Sequence, residues 1–357
     1  MTFNKTICLN MIVKDESAVI RRGLNSIKRL IDYWVIVDTG STDGTQAIVQ
    51  ETLKGIPGEL HERPWKNFAH NRNEALELAR GKADYIFFTD ADEEIKFCGS
   101  LDKSELDQDY YFILMKKKDI EYYRILLIKD RPGWVWRGIL HEYIANDQPL
   151  QGQTLTEIFS DGSNPDGHRS LDPDQYLKDA RILEQELKKD PRNTRILYFL
   201  AQSYRNAQQP IKALHYYAKR AAMDVEMKEE VFWSLYLIGC IQQELKMAPD
   251  LFIKSYCSAY AYNQTRAEPL YRLANHYNRT GHFILAYSIA KTALIIPKPT
   301  FYMCLEPAVY DYGILFELAN SAHSLGKRDI ARQLYRDLLI KETLPASYRE
   351  IIHKNLQ

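Results

Sequence analysis

Apolar positions follow one rhythm up to about residue 160 and another beyond residue 175. In the first stretch, short unbroken apolar runs alternate with amphipathic ones. Ile7 to Val13 (ICLNMIV), Trp34 to Val37 (WVIV) and Tyr85 to Thr89 (YIFFT) have the continuous apolar character of buried strands. Between Glu16 and Ile31, the residues Val19, Ile20, Leu24, Ile27, Leu30 and Ile31 fall at helical spacing and predict an amphipathic helix. A second helix is expected from Thr45 to about Lys54, capped by Asp43, and a third from Asn71 to Ala79. Strands then succeed one another without long helices: 110–116 (YYFILMK), 123–129 (YRILLIK) and a stretch from Trp134 through Tyr143. This order predicts an α/β domain that binds its ligand outside the carboxyl ends of the strands, where Asp38 and Asp90 fall.

Residues 160–175 (SDGSNPDGHRSLDPDQ) are dense in Gly, Pro, Asp and Ser and break the pattern. The chain beyond residue 175 is helical throughout and repeats itself. Ala201 and Ala213 are 12 residues apart, as are Gly239 and Leu251, Ala274 and Ala286, and Ala319 and Ala331. Successive units start 38, 35 and 45 residues apart, the last step containing the Pro297–Pro307 segment. Small residues at a fixed offset let paired antiparallel helices approach closely, and the period resembles that of tetratricopeptide repeats. The expected organisation is an α/β domain over 1–160, a linker or active-site loop over 161–175, and an all-α repeat domain over 176–357.

Composition narrows the function classes. Lys plus Arg (47) balance Asp plus Glu (47), so no overall basic field draws the chain to nucleic acid or anionic lipid. The five cysteines are scattered without a CxxC pair, which argues against a zinc site or a disulfide framework. The first apolar run is broken by Asn10 and followed by charge, unlike a signal peptide, and no stretch has the length of a membrane span. A cytoplasmic protein is expected. Most of the 24 tyrosines lie in the repeats, where helical spacing makes them packing residues.

The candidate chemistry is acidic. Asp90 and Asp92, one residue apart after an apolar strand, point the same way and can share a hard cation against a diphosphate; alone, the pair also reads as an acidic turn. Glu93 and Glu94 extend it to DADEE. Farther on, Trp134, Trp136, Gly138, His141 and Glu142 cluster. The tryptophans read either as a platform stacking on a sugar ring or as the core of a strand, and His141 and Glu142 either as proton acceptors or as strand caps.

Taken in order, ICLNMIVKDES, VIVDTGSTDGT, W-x-N-F-x-x-x-R-N-x-A and FFTDADEE resemble the family-2 inverting glycosyltransferases with the GT-A (Rossmann-like, nucleotide-sugar-binding) fold. The resemblance is strong over residues 5–95 and looser to about 170. It implies that Asp38 contacts the nucleobase or ribose, that Ser41 and Asp43 shape that pocket, and that Arg72 and Asn73 face the nucleotide. Arg72 would neutralise phosphate, although pairing with a helix-face acid is its plainer reading. Asp90 and Asp92 would form the metal-binding motif, with Asp92 the direct ligand. Lys14-Asp15-Glu16 stands where the family often has Asn-Glu, leaving Asn10 and Glu16 as neighbours of the site.

The family's acceptor-side base would be Glu142 or, failing that, His141. A further ligand from beyond the sheet is common among GT-A enzymes, and His168 in the Gly-bracketed loop is the candidate; Arg169 would bind phosphate by the same fold-back. A lone loop histidine is otherwise solvated.

The glycosyltransferase-plus-repeat arrangement resembles the sublancin-type bacteriocin S-glycosyltransferases and their relatives. It implies a peptide, protein or glycan acceptor and a homodimer through the repeats. The expected activity is metal-dependent (Mn2+ or Mg2+), inverting hexosyl transfer from a nucleotide sugar, UDP-linked by the resemblance. The competing readings are a nucleotidyltransferase, disfavoured because KDESAVIRRG lacks the usual glycine cluster, and a repeat scaffold with a degenerate nucleotide-sugar domain.

Overall fold

The structure, a computed structural model, describes residues 4–223 and 227–357. The chain forms two compact units, Met1–Gln185 and Glu186–Gln357.

The first unit is built on an eight-stranded mixed sheet. In chain order its elements are β1 (Ile7–Val13), α1 (Ile20–Ile27), β2 (Tyr33–Asp38), α2 (Thr45–Thr52), β3 (Gly58–Glu62), α3 (Phe68–Ala79), β4 (Tyr85–Phe88) and β5 (Glu94–Phe97). Next come β6 (Tyr110–Lys116), β7 (Glu121–Lys129), β8 (Val135–Arg137), β9 (Tyr143–Ala145), β10 (Gly152–Asp161) and α4 (Gln175–Lys189). The strand order is β3-β2-β1-β4-β7-β6-β10-β5, with β8 and β9 forming a separate two-stranded sheet. The β3-β2-β1-β4 half is parallel.

Alternation along β1 explains why this half is apolar. Leu9 and Met11 join Ile20, Leu24, Ile27 and Val49 of α1 and α2 in one cluster. Cys8 joins Leu76 and Ala79 of α3, with Phe88, Trp134 and Trp136, in another. A sheet covered on both faces needs strands apolar on both faces. Asn10 is the polar exception: its amide donates to the Ala75 carbonyl at 2.8 Å, fixing α3 across the sheet. Strand β1 lies between β2 and β4, so the chain leaves it in one direction and returns on the other side. Such a switch point opens a crevice at the carboxyl ends of the strands.

The stretch from Trp134 through Tyr143, expected as one strand, is a hairpin of β8 and β9. Its connection turns through Gly138 (φ 96°) and His141 (φ 51°), left-handed conformations that end strand pairing.

The second unit is a run of antiparallel helical hairpins: α5 (Thr194–Asn206) with α6 (Pro210–Ala221), α7 (Lys228–Glu244) with α8 (Pro249–Tyr262), α9 (Glu268–Arg279) with α10 (Phe283–Leu294), and α11 (Ile314–Ser324) with α12 (Arg328–Leu339). A last helix, α13 (Ala346–Leu356), packs on α12. Ala201, Ala213, Ala274, Ala286 and Ala319 are fully buried and Ala331 nearly so. The second hairpin departs from the spacing because its connection, 245–248, is one residue longer than the others. Phe252 therefore takes the buried place and Leu251 is 38 % exposed. Gly239 compensates: a Cβ there would lie 2.6 Å from the Tyr256 ring. The segment after α10 folds onto α7 and α9, where the Cys304 carbonyl accepts from Trp233 Nε1 at 3.0 Å and Arg266 Nη2 at 2.8 Å. Among the described residues no helix is long and apolar enough to cross a membrane.

Candidate active site

Strand β2 ends in Asp38, which is fully buried. Its Oδ1 accepts from the Gly40 and Ser41 backbone N–H groups, both at 2.8 Å, while Oδ2 is buried without a hydrogen-bond partner. A buried orphan acceptor at the mouth of a ligand crevice is suited to a donor on the ligand. The neighbouring loops are tied to each other. Asp15 N–H donates to Ser41 Oγ at 2.8 Å, Asp15 Oδ1 accepts from Thr42 N–H at 2.8 Å, and Ser17 N–H donates to Asp43 Oδ2 at 2.9 Å. Asp43 Oδ1 takes the Thr45 hydroxyl at 2.6 Å and its N–H at 3.0 Å. The N-cap of α2 is Gly44, not Asp43. Both carboxylate oxygens of Asp43 accept hydrogen bonds from the protein, so Asp43 braces the loops around Asp38. Ser41 likewise acts through the loop it anchors.

Strand β4 delivers Asp90 and Asp92 into a turn closed by Glu93 N–H to Asp90 O at 3.2 Å. Helix α1 comes close enough to support this turn because position 23 is glycine; a Cβ there would sit 2.6 Å from the Ala91 carbonyl oxygen.

The two aspartates have opposite environments. Burial opposes ionisation of Asp90, but the Arg72 and Arg124 guanidiniums outweigh it and hold the carboxyl well below the usual range. Arg72 Nη2 donates to Asp90 Oδ1 at 2.5 Å, and Arg124 Nη1 lies 3.4 Å from Oδ2. Asp92 is raised by burial, then by Asp90 and Glu93, with Lys117 only partly opposing. Asp90 is thus paired with two arginines, whereas the Asp92 carboxyl, beside Asp90 and Glu93, is held above its ordinary value.

Arg72, 6 % exposed, also reaches the β8–β9 connection. Its Nε donates to Glu142 Oε1 at 2.6 Å, and its guanidinium carbon stands 4.9 Å from the Trp136 ring centre. Arg72 thus pairs with two site carboxylates, not with a helix-face acid. Asn73, expected beside the nucleotide, instead spans the Trp136 backbone with its amide, accepting at 2.8 Å and donating at 2.9 Å, and so ties β8 to α3. Trp134 and Trp136, which the sequence reads either as a stacking platform or as strand core, lie in the core. Both are about 5 % exposed or less, with Trp136 packed edge-on to Phe88 and Trp134 to Tyr110. Neither offers a ring face to a sugar. His141 is exposed in the β8–β9 connection.

The 162–171 segment folds back on the site. Gly167 abuts Asp92: a Cβ there would lie 3.0 Å from Asp92 Oδ2. The His168 N–H donates to Glu16 Oε2 at 3.1 Å. Glu16 is pushed up to about 7 by burial and by Asp92 and Asp90, against that hydrogen bond. Arg169 pairs with Asp179 and lies over the Phe68 ring at 4.6 Å, so its charge is engaged within the unit rather than directed at phosphate. Among the described residues, no group of three or more His, Cys, Asp or Glu side chains is arranged to hold a metal ion by itself.

Sequence reasoning missed Arg124 and Lys117. Arg124 interrupts the apolar run of β7, and a charged side chain in such a strand is the signal that marks it.

Comparison with known proteins agrees with this architecture. Residues 8–97 match the family model described as glycosyl transferase family 2. The chain is 32 % identical over 146 residues to a TPR repeat-containing protein of Synechococcus elongatus, a match covering 39 % of this chain and 35 % of that one. It is 26 % identical over 230 residues to the SPbeta prophage-derived glycosyltransferase SunS of Bacillus subtilis, covering 60 % and 53 %. The match to the lipopolysaccharide core biosynthesis glycosyltransferase LpsC of Rhizobium meliloti is 38 % over 90 residues, covering 25 % and 30 %. The chain therefore spans between about a third and about half of these relatives' length. Among solved structures, MamA is similar to 50 % of this chain and 92 % of its own at 19 % identity and a TM-score of 0.38. The N-terminal unit thus contains a glycosyl transferase family 2 domain, and the C-terminal unit is all helical.

Proposed function

We propose that the chain is an inverting glycosyltransferase that moves a hexose from a nucleotide sugar to a peptide, protein or glycan hydroxyl, amine or thiol. The observation that carries this reading is the division of labour at the carboxyl edge of the sheet. Asp90 is neutralised by arginines while Asp92, beside it, is left short of positive charge.

Asp38 binds the nucleoside through its unpartnered oxygen. Asp92, with His168 from the returning loop, would hold a divalent cation. Small hard cations bind one or two carboxylates and fill their other positions with phosphate oxygens and water, so three protein ligands are not required. Bound there, Mn2+ or Mg2+ would supply positive charge to the departing diphosphate.

On the acceptor side, Glu142 is the group that fits a base, because Arg72 fixes its orientation within the same network as Asp90. The acceptor heteroatom attacks the anomeric carbon opposite the leaving group. The carbon–oxygen bond to the diphosphate breaks with its electron pair going to the phosphate oxygen, and Glu142 takes the acceptor proton. One displacement gives inversion. A UDP-linked donor follows from the family resemblance. Incubation with a nucleotide-sugar panel and Mn2+ or Mg2+, with NMR of the released or transferred sugar, tests the reading; retention of anomeric configuration contradicts it.

A further inference from the structure

Arg22 occupies an unusual place. It sits on α1 next to Gly23, the residue that lets the helix touch the Asp90–Glu93 turn, and it reaches two separate segments, 92–94 and Asp166. Nη1 and Nη2 donate to Asp166 Oδ2 and Oδ1 at 2.9 and 2.7 Å, a two-pronged pairing across 144 positions of sequence. Nη2 also lies 3.4 Å from the Asp92 carbonyl oxygen, and Nε 3.0 Å from Glu94 Oε1.

The Arg22 and Asp166 side chains are 35 % and 43 % exposed, so a simple ion pair here would contribute little stability. Its value is geometric. The fork fixes direction as well as distance, and Asp166 is the residue immediately before Gly167, where a Cβ would lie 3.0 Å from Asp92 Oδ2. Glu16 adds a second anchor by accepting from the His168 N–H two residues beyond Asp166.

We propose that Arg22 and Asp166 are positioning residues: they clasp the 163–168 segment to the acidic turn, so that Gly167 and His168 are held against Asp92 and the cation end of the donor site is assembled. Neither residue touches donor or acceptor. Gly167 is part of the same device: a Cβ there would lie 3.0 Å from Asp92 Oδ2 and 3.1 Å from its Cγ, so the segment or the carboxylate would have to shift.

This inference rests on the donor-site reading above. Its test uses the full chain and Mn2+ as probe, titrated by electron paramagnetic resonance with whichever of UDP, GDP, ADP or dTDP the wild type binds most tightly. Supporting partners of metal ligands typically govern affinity by about tenfold or more, so Arg22→Gln and Asp166→Asn should each weaken Mn2+ binding to about that extent. Affinity for the nucleoside diphosphate in EDTA should stay within about twofold in both, which general unfolding would not allow.

The double variant should be no worse than the weaker single, because the two side chains act as one unit. Arg22→Lys should recover part of the loss, and Gly167→Ala should reproduce it without removing a charge. Unchanged Mn2+ affinity in both single variants, or additive losses in the double, overturns the clasp while the wild-type titration upholds the donor site. A wild type that binds no nucleoside diphosphate with Mn2+ overturns the donor site and the clasp together.

Discussion

Arg72 Nε donates to Glu142 Oε1 at 2.6 Å, joining residues 70 positions apart. Because the same guanidinium holds Asp90, the acidic turn after β4 and the β8–β9 connection share one buried cation. Replacing Arg72 by Met should leave Glu142 without its ion pair and Asp90 with Arg124 alone. The expected loss is on the order of 3 kcal/mol in urea denaturation. Adding Asp90→Asn and Glu142→Gln should return most of it; failure to do so would mean that Arg72 stabilises by packing on Trp136 alone.

Glu142→Gln keeps the shape and the hydrogen bond to Arg72 but removes the proton acceptor. Donor binding should persist while transfer slows by roughly a hundredfold or more. Steady-state kinetics with separate donor and acceptor titrations would show this. Full transfer by Glu142→Gln would remove Glu142 from the mechanism.

Asp43 gives a pH signature. Burial opposes its ionisation, but hydrogen bonds from Thr45 and Ser17 win and hold its carboxyl well below the ordinary value of 3.8. As pH falls, the unfolded chain takes up the proton first. The stability contributed by Asp43 is therefore full above the ordinary aspartate range and drains away below it. The difference in melting temperature between wild type and Asp43→Asn should be constant from neutral pH down to about 5 and shrink below about 4. A difference that does not change across that interval would contradict the brace.

In the repeats, Gly239→Val should clash with Tyr256. A cost of about 1–3 kcal/mol is expected, read as a lower unfolding midpoint. The same change at Gly281, where a Cβ meets nothing within 4 Å but φ is 79°, acts by backbone strain instead.

Much of this was legible in the sequence, for physical reasons. Strands β1, β2 and β4 are buried on both faces and so carry apolar runs, interrupted in β1 by Asn10 alone, which also places Asp38 and Asp90 at their ends. The helical repeats show themselves because only small residues permit the close crossings at Ala201, Ala274 and Ala319. Strands β3 (GELHE) and β5 (EIKF) went unseen: short, partly exposed strands carry polar residues that resemble loop. The misplaced residues share one cause. Asn73, Trp134 and Trp136 lie close to the site in sequence, but whether a side chain faces ligand or core depends on contacts between distant segments, such as Asn73 with the Trp136 backbone. For the same reason the Arg22–Asp166 pair has no local signal.

On the proposed mechanism, Asp92 makes the donor site cation-dependent. The most direct measurement is hydrolysis of a nucleotide-sugar panel by wild type and Asp92→Ala, each with Mn2+, with Mg2+ and with EDTA. Wild type should hydrolyse at least one donor only when a cation is present, and Asp92→Ala should lose this activity while remaining folded. Absence of binding and hydrolysis for every donor, or an Asp92→Ala variant that behaves as wild type, would contradict that mechanism.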